Sequence, residues 1–348
     1  LPDRLWFAVP GDIDTRTGGT LYDKRVMAEL HNIGWRVGHL AWPGAFPFPT
    51  GDDLATVTAS LAACPDNALV MIDGLALGVL PHLAMAEANR LRLVALVHHP
   101  LALESGLAPN VAKRFRASER LALSAVRHVV VTSEMTAATL AAEFGVPRER
   151  ITVAQPGTDK PKMPVMRPSN DQLHLLSVGT VTPRKAHSVL VDALAQLTEL
   201  DWHCTIAGSL DRDRETAMAL RQQIAGLGLE ARVTLTGEID DLSSLYAQSD
   251  LLVSSSRYEG FGMAIAEALA YGLPIVAARG GAVGDVVPAD AGILVPADDP
   301  VALAAALRGV MESREGREAL AAGARAAGER LIGWNETASL IAGALEPL

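Results

Sequence analysis

Short apolar runs alternate with helical periods along this chain twice over, which predicts two α/β halves. In the first half "LWFAVP", "RVGHLAW", "ALVMID", "RLVALVHH" and "HVVVTS" are brief and rich in branched residues, as buried parallel strands are. Helical stretches are expected between them at 20–33, 52–63, 110–127 and 134–144. The second half repeats the pattern with "LHLLSVG", "DWHCTIAG", "RVTLTG", "DLLVSSS", "LPIVAAR" and "AGILVPA". Its helices are expected at 186–200, 212–227, 241–248, 263–271 and 299–312, with an Ala-rich pair over 315–346. Between the halves, "PGTDKPKMPVMRPSND" carries four prolines without periodicity and reads as a linker. Two open parallel sheets bind ligands outside the carboxyl ends of their strands, so a cleft between the halves is the expected site.

Length agrees with two domains, since 348 residues exceed one ordinary core. The opening "LPDR" is polar and no apolar run approaches a membrane span of about 20 residues. Two cysteines, Cys64 and Cys204, have neither zinc-ligand nor disulfide-framework spacing, which favours a reducing, cytoplasmic setting. The net charge of −10 falls mostly on the second half, with −1 over residues 1–160 and −9 beyond. Such a chain is a poor nucleic-acid binder. Lys113, Arg114, Arg116 and Arg120 nevertheless cluster on one helix beside Glu119. They read as a solvated face, or as a contact with an anionic substrate or peripheral membrane surface.

Candidate chemistry gathers at strand ends. In "SVGTVTPRKAHSVL" a strand runs through Gly179 into a loop with Arg184 and Lys185, then a helix, an arrangement suited to anions. Arg can hold phosphate oxygens as a fork and Lys as a point charge. In "YEGFGMAIAEALAYG" Glu259 precedes a Gly-Phe-Gly turn, and Glu267 lies on a helix that runs from near Gly262 to Gly272. The two carboxylates sit about 80° apart on helical spacing, so they would meet different parts of one elongated ligand. In the first half, Gly18 and Gly19 of "TGGT" permit a close approach to a phosphate or sugar. His98 and His99 end a strand, with Glu104 downstream. For each of these, spacing alone leaves a bland reading open: two solvated cations, a capping glutamate, an ordinary turn, a satisfied structural histidine. No GxSxG elbow, Walker loop, HExxH or metal–diphosphate carboxylate pair is present, and the glycines do not complete GxGxxG.

Read together, "SVGTVTPRKAHSVLVDAL", "VTLTGEIDDLSSLYAQSDLLVSSSRYEGFGMAIAEALAYGLPIVA" and "AGILVPADDP" resemble the retaining glycosyltransferases of family four, which have the GT-B fold. Seven residues between Glu259 and Glu267 reproduce that family's E-x7-E motif, and "GWNETA" is similar to its closing helix. The resemblance implies an N-terminal acceptor-binding Rossmann-like domain over 1–157, with helix 334–348 packing back on it. It also implies a linker over 158–171 and a C-terminal donor-binding Rossmann-like domain over 172–333.

By the same resemblance, Arg184 and Lys185 neutralise the diphosphate of a nucleotide sugar, Glu267 holds ribose hydroxyls, and Glu259 holds those of the transferred sugar. Gly19 approaches the donor phosphate, and Gly179 is a donor-binding residue. Backbone N–H groups at Phe261, Gly262, Met263 and Ala264 meet sugar and phosphate, and Gly237, Glu238 and Ile239 flank the nucleobase. His98 matches the histidine near the sugar ring; His99 competes with it, and Glu104 is an acceptor-side candidate. Thr180 and Ala186 depart from the family pattern, standing where a basic residue and a glycine are usual.

The implied activity is metal-independent, retaining transfer from a nucleotide-diphosphate sugar, with UDP favoured, to a sugar, lipid-linked or small-molecule hydroxyl. No cofactor beyond that donor is expected. A non-catalytic nucleotide-sugar-binding subunit, a UDP-sugar epimerase or a phosphorylase are the alternatives, and the acceptor is not legible.

Overall fold

The computed structural model describes residues 4–162 and 172–348, so most of the expected linker lies outside the described residues. The chain forms two compact units. One comprises the residues up to Gly157 together with Ile332–Leu348, and the other Thr158–Leu331.

Unit one is built on a parallel sheet of β1 (Arg4–Pro10), β2 (Arg36–Trp42), β3 (Leu69–Asp73), β4 (Arg92–Val97), β5 (His128–Val131) and β6 (Ile151–Val153). Its strand order is β2-β1-β3-β4-β5-β6. Unit two carries β7 (Leu173–Val178), β8 (Trp202–Ala207), β9 (Val233–Gly237), β10 (Leu251–Ser254), β11 (Ile275–Ala278) and β12 (Gly292–Val295). These are ordered β12-β11-β10-β7-β8-β9 and are again all parallel. Both central strand sets are buried on two faces, which is why β3 and β4 read as continuous apolar runs.

Each order reverses direction once. In unit one the chain steps outward from β1 to β2, then returns to place β3 on the other side of β1. In unit two the same reversal separates β7 from β10. Neighbouring loops at such a point diverge to opposite faces of the sheet and leave a crevice at the strand carboxyl ends. The loops after β1, β3 and β4, and those after β7 and β10, are therefore the positions to inspect.

Every expected strand forms, and the expected helices form within a few residues of their predicted ends. Short elements were not foreseen: β6, the helices Gly74–Leu77, Pro81–Glu87 and Val283–Val286. Each is too brief to display a period, and Gly78 and Pro81 gave their stretch the look of a loop. The helix Gly18–Asn32 starts earlier than expected, because Thr17 and Thr20 close a reciprocal capping box around its first turn. Gly18 and Gly19 thus belong to that turn.

The basic helix Pro109–Ala125 corrects one reading. Lys113, Arg114 and Arg120 are exposed, but Glu119 is not part of a solvated face. It is buried and accepts the N–H groups of Leu101 and Ala102 at 2.6 and 2.9 Å. Burial pushes its carboxyl up to about 7 against those two hydrogen bonds. Both cysteines are free and buried, and no helix among the described residues is long and apolar enough to cross a membrane.

The chain end completes unit one. Trp334 opens the helix Trp334–Leu345, meets Tyr22 edge-on at 5.8 Å, and Thr337 donates to the Gln155 carbonyl at 2.8 Å. Gly157 lies so close that an added Cβ would fall 2.3 Å from the Trp334 backbone nitrogen. Gly157→Ala is therefore expected to lower stability by about 1–3 kcal/mol, the usual range for overpacking. Chemical denaturation of the variant against the native chain measures it.

Candidate functional site

The loops after β7 and β10 are tied to each other before any ligand is considered. The Arg257 N–H donates to the Arg184 carbonyl at 2.9 Å, and the Arg184 guanidinium returns a bond to the Tyr258 carbonyl at 2.8 Å. Ser255 adds its hydroxyl to the Lys185 and Ala186 carbonyls at 3.1 and 2.9 Å. This lacing delivers Lys185 Nζ to Glu259 Oε1 at 2.6 Å, with Arg184 Nη1 3.6 Å from Oε2. The three residues singled out by spacing thus form one cluster.

Burial alone would raise the Glu259 carboxyl. The charges of Lys185 and Arg184, with hydrogen bonds from Lys185 and Ser256, hold it below its usual value instead. A second loop fixes its backbone: Glu259 bridges to Gly281, where φ is +62° and an added Cβ would fall 2.1 Å from the Glu259 carbonyl oxygen. Sequence reading missed this contact, although "RGG" at 279–281 was its trace. Lys185 lies over Gly179, where a Cβ would come within 2.9 Å of its Cε. His187 is buried beside the pair and pushed down to about 4 by burial and the Lys185 charge, so it adds no competing cation.

Ala186, in the place of the family's usual glycine, adopts φ +49° and ψ +39°. That conformation costs an L-residue about 1–2 kcal/mol, while its buried methyl contributes about 0.8 kcal/mol. The two nearly offset, so the loop tolerates alanine.

The helix Met263–Ala270 begins on Gly262, whose φ of +102° suits glycine. The Gly262 carbonyl accepts from Ile265 and Ala266, so the N–H groups of Met263 and Ala264 belong to the turn that has no carbonyl behind it. Phe261, Ile265 and Leu269 are buried and anchor the helix on the sheet. Glu267 faces away from that anchor, and Tyr246 donates its hydroxyl to Glu267 Oε2 at 2.7 Å. Burial raises the Glu267 carboxyl, the Tyr246 bond lowers it, and the net shift is upward. Tyr246 was not singled out in the sequence; its place in "SLYAQSD" gave no local sign of a partner 21 residues away.

Gly237 ends β9 with φ +73° and, with Glu238, lines a hollow of about 390 Å³ whose other walls include Ser209, Leu210, Arg214 and Met218. Ile239 is not among its lining residues. β9 lies two strands from β7, about 10 Å away.

In unit one the structure brings Gly19 and His98 together: a Cβ on Gly19 would lie 3.4 Å from His98 Cδ2. His99 turns elsewhere, its Nε2 3.7 Å from Glu104 Oε2. Two residues the sequence reading overlooked complete the His98 surroundings. Asp23 Oδ1 is 3.0 Å and Asp73 Oδ2 3.4 Å from His98 Nε2. Asp23 sits beside core-facing Tyr22 and Val26 on its helix, where a carboxylate is not expected.

Residues 160–327 match the family model described as glycosyl transferases group 1, and residues 35–160 match glycosyltransferase family 4. A D-inositol 3-phosphate glycosyltransferase of Paenarthrobacter aurescens is 31% identical over 278 residues, 73% of this chain and 67% of that protein. The chain belongs to the glycosyl transferases group 1 family. The same enzyme of Thermomonospora curvata is 31% identical over 68% of this chain, a match that spans only 60% of the relative's length. Among solved structures, sucrose-phosphate synthase from Thermosynechococcus elongatus superposes with a TM-score of 0.83 at 20% identity, covering 99% of this chain and 98% of that one. Anabaena HepE in complex with UDP-glucose gives 0.80 at 21%, covering 99% and 100%. The fold of this family member is GT-B, α/β, with a parallel six-stranded sheet in each unit.

Removing Lys185 leaves Glu259 buried with Arg184 alone. Lys185→Met should cost about 3 kcal/mol, the lower end for breaking a buried pair. Lys185→Met with Glu259→Gln should recover most of it, and a double-mutant cycle by urea denaturation checks the coupling. Because the folded-state value of Glu259 is depressed, its contribution is present above the unfolded value of 4.5 and is lost as pH falls through the folded one. The coupling should therefore persist at neutral pH and fade only as pH falls below 4.5, through the depressed folded-state value.

Proposed function

We propose that this protein transfers a sugar, with retention, from a nucleotide-diphosphate sugar to an acceptor hydroxyl, and that a UDP-sugar is the donor. The observation that carries the reading is the Arg184–Lys185–Glu259 cluster laced between the two switch-point loops of unit two. Two cations and one carboxylate at a helix entrance suit a ligand with both a diphosphate and vicinal hydroxyls. The naming of related proteins as glycosyltransferases, and the UDP-glucose held by HepE, support the same chemistry.

In this account unit two holds the donor and unit one serves the acceptor. Arg184 and Lys185 neutralise the diphosphate, so its departure requires no metal. Glu267, oriented by Tyr246, accepts the ribose hydroxyls through the oxygen Tyr246 does not use. Glu259 holds hydroxyls of the transferred sugar, and the N–H groups at Gly262, Met263 and Ala264 meet the phosphate as its charge grows. Gly179 gives Lys185 its path, and Gly237, Glu238 and Ile239 flank the base. In unit one, Gly19 and His98 are the candidates to meet a phosphate and a sugar hydroxyl, and His99 and Glu104 the candidates for the acceptor.

Transfer breaks the bond between the anomeric carbon and the phosphate oxygen, which leaves with the electron pair. The acceptor oxygen attacks the same face through an oxocarbenium-like state. Its proton passes to the departing phosphate oxygen, and Glu259 acts as a holder, not a nucleophile. This is a reading of a protein acting in the cytoplasm, with at most peripheral membrane contact through the basic helix of unit one.

A thermal-shift screen of nucleotides and nucleotide sugars tests donor binding. A donor present at 100 times its Kd should add about 2.7 kcal/mol of stability. The matching transfer assay should show Lys185→Ala and Glu259→Ala losing at least about 100-fold, as for removal of a transition-state donor group. Tyr246→Phe should raise KM for the donor by about 5–10-fold, the loss of one hydrogen bond near 1 kcal/mol. Full activity in both the Lys185 and Glu259 variants contradicts the reading.

A further inference from the structure

Unit one contains a buried polar cluster that the donor chemistry leaves unexplained. Asp23, on the helix Gly18–Asn32, is 0% exposed. Its Oδ1 reaches His98 Nε2 at 3.0 Å, whereas its Oδ2 is buried with no hydrogen-bond partner. Asp73, at the end of β3, uses Oδ1 to cap the Leu75 N–H at 2.6 Å and places Oδ2 3.4 Å from the same His98 nitrogen. The ligand-capable atoms of the three residues lie within 4.8 Å of one another.

Charge counting restricts their protonation. Two carboxylates cannot stay ionised this close and this dry without a cation, and the ion pairs of both are with His98. A neutral His98 accepting at Nε2 would leave both carboxyl groups competing to donate one proton to it. A neutral ring protonated at Nε2 supplies one N–H to both but leaves the carboxyls without a cation. A doubly protonated ring supplies the same N–H together with the charge and needs one further proton at most between the carboxyls. Tyr22 stands edge-on to the ring at 5.1 Å and spends its hydroxyl on the Ala154 carbonyl, and Thr132 donates to the His98 carbonyl.

The ring is not sealed in. Its side chain keeps 23% exposure at the carboxyl end of β4, against the first turn that holds Gly19. With Nε2 committed inward, Nδ1 is the nitrogen left for a ligand. The cluster's net charge is zero or −1, so a phosphate gains little there, whereas a hydroxyl oxygen can accept from a charged donor.

We infer that Asp23 and Asp73 are positioning residues that hold His98 as an imidazolium, so that its Nδ1–H serves as a charge-assisted donor to a neutral sugar hydroxyl. This deepens the transferase reading, on which the choice of ligand rests; the protonation state does not rest on it. Burial opposes charge on the ring, but Asp23 and Asp73 outweigh it and raise His98 to about 10. Asp23 is itself raised by burial. Both shifts are upward, so the folded state binds the extra protons, and His98 contributes stability below its unfolded value of 6.5 that is lost as pH rises toward 10.

The test is an NMR titration of the ¹⁵N-histidine-labelled native protein from pH 6 to 10, with His98→Gln to assign the signal. His98 should remain an imidazolium at pH 8, and Asp23→Asn or Asp73→Asn should lower its midpoint by about 1–3 pH units. A native His98 signal that titrates near 6.5 overturns the inference, and that midpoint is read on the native protein. So does a signal removed from titration by stoichiometric zinc and restored by EDTA, which would make the three residues a metal site. Once transfer is assayed, Asp23→Asn should impose a new basic limb on kcat/KM that the native enzyme lacks below pH 9. A uniform loss at every pH would mark Asp23 as merely structural. Absence of any transfer, with the titration as expected, would count against the transferase reading alone.

Discussion

The ion pair between Glu259 and Lys185 is the constraint around which unit two is arranged. A carboxylate at 8% exposure is tolerable only with a cation against it, and the cation arrives from a loop 74 residues earlier in the chain. For that meeting to occur, β7 and β10 must be neighbours, and the reversal of strand order makes them so. The lacing by Arg184, Ser255 and Arg257, the close passage of Gly281 and the left-handed Ala186 all follow from bringing these two loops to one place. Buried pairs of this kind add little net stability, so the pair is better understood as specifying the positions of its members.

The two units manage buried charge in opposite ways. Unit two surrounds one carboxylate with two cations and leaves a surplus of positive charge beside a helix start. Unit one surrounds one imidazole with two carboxyls and leaves no surplus of positive charge. The first environment suits an anion and the second suits a hydroxyl.

Much of this was legible in the chain. The strands were, because parallel sheets write their burial as uninterrupted apolar runs, and Arg184, Lys185 and Glu259 each stood out as loop residues at a strand end, although their meeting across 74 residues did not. What escaped depends on contacts distant in sequence. Asp23 and Asp73 matter only where they meet His98, 75 residues after the first of them. Tyr246 looks like an ordinary core aromatic until its hydroxyl finds Glu267. Glu119 was taken for part of a solvated face, since nothing nearby in the sequence announces the two N–H groups it accepts. His98 and His99 are adjacent residues, and only the turn after β4 separates their partners.

The central claim is a division of labour within unit two: Lys185 binds the diphosphate and Glu259 the sugar. Calorimetric titration of UDP and of the matching UDP-sugar into the native protein and Glu259→Gln separates these roles. The account predicts that Glu259→Gln binds UDP at least as tightly as the native protein, since the carboxylate competing for Lys185 is gone. It also predicts that the variant loses the extra affinity conferred by the sugar. Weaker UDP binding in Glu259→Gln, with the sugar's contribution intact, would contradict it.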